Sequence, residues 1–120
     1  MLLIALLLTV AAPVQTQAAM NRSSGASYAQ ADAAMTAQWK RTYAYMKGRD
    51  AQDTSRGGGF GYAGSLLESQ RAWLKYRDTQ CVIEGGQYAG GSAQGMTTAA
   101  CRTGLTRART AQLKSLVWGG

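Results

Sequence analysis

Two glycine-rich stretches, Gly48 to Gly64 and Gly85 to Gly95, constrain this chain more than any other feature. The first ends in Gly57-Gly58-Gly59-Phe60-Gly61-Tyr62-Ala63-Gly64, and the second reads GGQYAGGSAQG. Glycine loses the most backbone entropy on folding, so neither stretch supports a regular element cheaply. Between them the chain falls into segments whose apolar residues recur at steps of three and four, which places them on one helical face. The expectation is an all-α, three-helix domain in which flexible glycine-rich connectors join the helices.

The middle helix is the clearest, Leu66 to Glu84. Ser65 stands as N-cap with Glu68 three residues on, the spacing of a capping box. Leu66, Leu67, Gln70, Trp73, Leu74, Arg77 and Cys81 share its inner stripe, so two polar residues lie within an apolar face. A buried guanidinium costs several kcal/mol unless paired. The partners in reach are Asp78, Gln70, Asp32 and hydroxyls such as Thr106, which suggests a polar network joining three helices. The alternative is an exposed Arg77 that forms a recognition groove with Trp73. The first helix spans Ser27 to Met46, with Ser27 as cap and Tyr28, Ala31, Met35, Trp39, Thr42, Tyr43 and Met46 at helical spacing. Met20 to Ala26 reads as a mobile lead-in. The third runs from a Thr97 or Thr98 cap to about Leu116. Its inner face is Cys101, Leu105, Ala108, Gln112 and Leu116, with Leu113 flanking. Gly104 interrupts it and suggests a close helix approach, and Val117 to Gly120 reads as a frayed tail.

Residues 1–19 hold an apolar run, Leu2 to Ala12, then Pro13 and a small-residue stretch ending at Ala18-Ala19. Eleven apolar residues suit a signal-peptide core and fall short of the roughly 20 that span a bilayer. No Lys or Arg precedes the run, so only the amino terminus supplies positive charge there. The expected organisation is a leader over 1–19 and one domain over 20–120, periplasmic or secreted, with no transmembrane anchor. All of the net charge of +7 then belongs to the mature part. Such a surface favours anionic partners, and export makes wall polymers and lipid headgroups nearer at hand than nucleic acid, which is not expected. Cys81 and Cys101 read as one disulfide tying an antiparallel hairpin, from the last turn of the second helix to the first of the third. The loop so closed is worth about 3 kcal/mol. With no histidine, a metal ligand set is incomplete, and no cofactor is expected.

The same absence removes the commonest general base. Glu68 and Asp78 are ten residues apart on one helix, roughly 15 Å of rise, too far for a hydrolytic pair. The glycine loop before the middle helix lacks a Gly-Lys-Ser/Thr ending and a preceding strand, so a phosphate cradle is disfavoured. These features argue against an enzyme and leave no metal site.

Ser69-Gln70-Arg71-Ala72-Trp73-Leu74-Lys75-Tyr76-Arg77-Asp78 leading to Cys81 resembles the central motif of the LprI-type lysozyme-inhibitor family. The likeness continues through Gly90-Gly91-Ser92, then Cys101, Thr106 and Arg109 before Leu113. Upstream, Tyr28, Ala31-Asp32 and Met35 are similar to the family's entry into its first helix. The resemblance implies a disulfide-bonded helical envelope domain and lysozyme inhibition by protein–protein binding, with Gln70, Arg77, Asp78, Thr106 and Arg109 in a structural polar network. The further cysteine pair of many relatives is missing, and no cysteine follows the leader for a lipid anchor. Lysozymes are generally basic and repel a +7 partner at long range, so inhibition needs a local acidic patch or an apolar plug. Glu84, Tyr88 and Ser92 are the candidate partner-binding residues. The alternatives are a basic module holding anionic wall polymer or lipid headgroups, and a non-catalytic structural envelope protein.

Overall fold

The computed structural model describes residues 16–119, and most of the expected leader lies outside them. Three helices follow in order: α1 (Gln17–Gln52), α2 (Tyr62–Gly86) and α3 (Gln94–Ser115), with no strand among the described residues. α2 runs antiparallel to both neighbours, so α1 and α3 run parallel. Thr42 on α1 donates to the Leu113 carbonyl of α3 at 3.0 Å, while Asp32, ten residues earlier, shares a level with Thr106.

Three tiers succeed one another along the bundle. From the α1–α2 connection an apolar cluster of Met46, Ala63, Leu66 and Leu113 reaches down to Met35 at the edge of the next tier, with Trp39, Tyr43, Tyr62, Trp73 and Leu116 packed against it. Below it comes a polar tier of buried Gln70, Arg77, Thr106 and Arg109. The lowest tier is the Cys81–Cys101 disulfide, with Cα atoms 5.5 Å apart, and the close approach of Gly85 to Thr98. A Cβ at Gly85 would come within 2.0 Å of the Thr98 hydroxyl, so only glycine lets the two helices meet there.

Several local expectations are corrected. α1 begins at Gln17, not Ser27: Thr16 accepts from the Ala19 N–H as its cap, and the helix runs through Gly25 without a break. It also passes through Gly48 to Gln52, since tertiary contacts of Arg49 and Asp50 hold its last turn. α2 starts at Tyr62 instead of at a Ser65 cap. Asp50 reaches across from α1, and its carboxylate accepts from the N–H groups of Gly61, Tyr62 and Ala63, each at 2.9 Å. The first connector is thus tethered, with Asp53 paired to Arg56 at 3.0 Å, rather than a loose linker. α3 starts at Gln94, and neither Thr97 nor Thr98 caps it: Thr98 bonds back to the Gln94 carbonyl.

The disulfide consequently joins the bodies of two helices, because Cys101 lies two turns into α3 and α2 continues to Gly86. The inner face of α3 is Thr103, Thr106, Arg109 and Leu113, whereas Ala108 and Gln112 are exposed and Leu105 is half-buried. A search for the most apolar stripe selects the wrong face when the true one is made of threonines and an arginine. Gly104 is exposed with open space around it, and close approach belongs to Gly85 instead. Trp118 in the supposed frayed tail packs edge-on against Tyr62 at 5.7 Å, under the Arg49 guanidinium.

Candidate partner-binding site

Side chains of the polar tier meet from all three helices. Arg77 on α2 donates through Nε to Asp78 at 2.9 Å, and through Nη1 to Asp32 of α1 and Thr106 of α3, both at 3.4 Å. Burial works against its charge, but the Asp78 hydrogen bond, Tyr28 and Asp32 outweigh it and hold the guanidinium above its ordinary pKa. Arg109 on α3 donates through Nε to Gln70 at 2.9 Å, through Nη2 to Ser69 at 3.1 Å, and through Nη1 to Gln112. Burial lowers its pKa. Gln70 in turn donates to the Met35 sulfur of α1 at 3.7 Å. Trp73 stands beside both guanidinium groups, at 5.3 Å from Arg77 and 5.8 Å from Arg109.

Gln70, Arg77, Asp78, Thr106 and Arg109 are therefore brought together, with Asp32, Ser69 and Gln112 added. Arg77 is only 6 % exposed. Its N–H groups are directed to Asp78, Asp32 and Thr106, while Arg77 and Gln70 also border a groove of about 360 Å³ with Tyr28, Asp32 and Trp39. The nearest approach to a metal-ligand set among the described residues is Cys81, Glu84 and Cys101. Both sulfurs are joined to each other there, so neither is the thiolate a metal requires.

Glu84, Tyr88 and Ser92 lie at the α2–α3 end, but they do not form one pocket. Tyr88 accepts from the Gly91 N–H at 2.8 Å in a tight turn, where Gly90 has φ +78 and thereby favours glycine. The tyrosine ring is left about half exposed. Ser92 lines an open groove of about 670 Å³ with Tyr28, Gln94 and Arg102. Glu84 is exposed and lies on another side, its carboxylate against the Cys101 sulfur.

Sequence reasoning missed two neighbours. Val82 and Ile83 are 65 % and 68 % exposed, the most exposed large aliphatic side chains among the described residues. Their signal was available, since both fall off the stripe of Leu66, Gln70, Arg77 and Cys81. The charge around them also departs from that of the whole chain. Between Asp78 and Arg102 there is Glu84 and no Lys or Arg at all. Glu84 is thus the one charged side chain of that stretch, while Arg102 lines the groove with Ser92 at the same end of the bundle.

A polar middle tier and a disulfide between helix bodies define a small cross-linked three-helix module. Comparison with known proteins agrees: the sequence model of the family described as Lysozyme inhibitor LprI matches residues 9–113. The chain belongs to the LprI lysozyme-inhibitor family. It is 36 % identical over 107 residues to an uncharacterized protein of Rhizobium meliloti (strain 1021), covering 85 % of this chain and 74 % of that one. No solved structure gives a significant match.

Proposed function

We propose that the protein is an exported lysozyme inhibitor that acts by protein–protein binding through its α2–α3 end. The family match over residues 9–113 carries the reading, and the chemistry of that end supports it. The contact surface centres on Val82 and Ile83, with Glu84 on a neighbouring face of α2 and Tyr88 and Ser92 in the turn that follows. Apolar side chains supply area removed from water, and Glu84, which makes no ion pair among the described residues, is a carboxylate that a basic enzyme can meet there. Export fits the disulfide, because such bonds persist in oxidising compartments. In this reading residues 1–19 are a removed leader, and cleavage near Ala18 or Ala19 takes only the first turn of α1 with it.

Lysozyme turnover measured with purified protein tests this. Inhibition in the micromolar range is expected from the wild type. Ile83→Lys, which replaces an exposed apolar group by a cation, is expected to weaken it at least about tenfold, the price of both lost burial and added repulsion. Absence of inhibition across several lysozyme classes overturns the reading, and equal inhibition by the variant moves the contact elsewhere.

A further inference from the structure

The net charge is not spread over the molecule. α2 carries three cations and three carboxylates; α1 carries five cations and two carboxylates; α3 carries four cations and no carboxylate. Asp53 and Arg56 in the first connector cancel. The whole excess of +7 thus belongs to the two parallel helices, and although Arg49, Arg102 and Arg109 turn toward α2, the remaining cations do not pair with it.

Along the seam between α1 and α3, two shallow hollows follow one another. One, of about 240 Å³, is bordered by Ala34, Arg107 and Thr110. The next, of about 470 Å³, is bordered by Gln38, Arg41, Lys114 and Val117, one turn further on both helices. Arg41, Arg107 and Lys114 are exposed and have no carboxylate in ion-pair range among the described residues. Arg107 and Lys114 are separated by about 10 Å of helix rise, so the charges form a row along the seam.

One of them is fixed in advance. Arg41 donates to Gln38 at 3.0 Å, Gln38 donates to Thr42 at 3.0 Å, and Thr42 donates to the Leu113 carbonyl at 3.0 Å. Gln38 and Thr42 are buried, so the chain of bonds anchors an exposed guanidinium to the core while its other N–H groups stay open.

We infer that the α1–α3 seam is a second binding site, for a linear carboxylate-bearing wall glycan, the polymer on which lysozyme acts. A row of unpaired cations in a long shallow trough is complementary to a polyanion strand. The choice of polymer rests on the inhibitor reading proposed above. The arrangement divides labour: the basic seam holds the module on the substrate, while Val82, Ile83 and Glu84 at the α2–α3 end remain free for the enzyme. Holding both proteins on one polymer raises their effective concentration, and the polymer's charge offsets the repulsion between two basic proteins.

Cosedimentation of the full chain with purified wall sacculi tests the inference. Wild-type binding is expected to fall steeply between low and high salt. R107Q/K114Q is expected to bind about tenfold more weakly, whereas R71Q/K75Q on α2, with the same loss of charge, stays within about twofold. Equal weakening by both pairs reduces the effect to overall charge and overturns the site, as does absence of binding. Binding to vesicles of anionic lipid but not to sacculi overturns the polymer. Inhibition of lysozyme on a small soluble substrate is measured in parallel. Sacculus binding without inhibition sinks the inhibitor reading and leaves the seam standing; inhibition without sacculus binding does the reverse.

Discussion

The two ends of the bundle are built from similar glycine-rich connections and held by different physics. At the α1–α2 end, Met46, Ala63, Leu66 and Leu113 bury apolar surface, and the Asp50 carboxylate collects three backbone N–H groups of the incoming helix. At the α2–α3 end the inward residues are Cys81, Gly85, Thr98 and Thr103, too small to remove much surface from water. A covalent bond takes over there. In a domain near 100 residues, where one core is only just sufficient, the loop this disulfide closes contributes by restricting the unfolded chain, and it also ties together the end that has least core. The end that needs fewest side chains inside can then present Val82, Ile83 and Tyr88 outside.

Cutting the covalent bond is the strongest way to test this contrast. C81A/C101A is expected to lose about 3 kcal/mol in urea denaturation. Hydrogen exchange should locate the loss, with protection falling across residues 85–98 and surviving around Ala63 to Leu67. A uniform loss would show that the two ends are not held separately. Arg77→Ala comes next, at about 2–3 kcal/mol, because it removes charged hydrogen bonds from a tier that links all three helices. Since that tier lies between the ends, both should loosen together, and an unchanged melting temperature would refute a structural role for the arginine.

The smallest effect is expected at Asp50 and shows best in its pH dependence. The Ala63 N–H first, then those of Tyr62 and Gly61, outweigh desolvation and hold this carboxylate below its ordinary value near 3.8. A depressed folded-state pKa contributes stability that is complete above the unfolded value and is lost as pH falls through the folded one. Wild type should therefore weaken in the acid range below about pH 4, and Asp50→Asn should lack that component of the acid limb. Parallel acid profiles for the two proteins would mean the cap does not hold the α1–α2 end.

Part of this contrast was legible in the sequence. Gln70 and Arg77 interrupt an apolar stripe of α2, so a polar tier could be read from spacing alone, and the even cysteine count gave the cross-link. α3 was not legible in the same way. Its inner Thr103, Thr106 and Arg109 are outside residues by type, and only the partners on α1 and α2 make them inside residues. Asp50 was hidden for another reason. It caps a helix that starts twelve residues later, and no local window contains both ends of that contact. The proposed contact divides likewise: the placement of Glu84, Tyr88 and Ser92 near the second glycine-rich turn was legible from sequence, while the charge segregation between helices appeared only once their bounds were known.

The position of the disulfide has a consequence for survival. Gln87 to Ser92 is the exposed tip of the hairpin, the kind of segment proteases cut first. Because Cys81 and Cys101 sit within the helices on either side, a chain severed anywhere in that tip remains one covalent molecule. The nicked protein keeps its helix pairing and gains two new termini next to Val82 and Ile83. A surface carried on such a ring can be cleaved without being released.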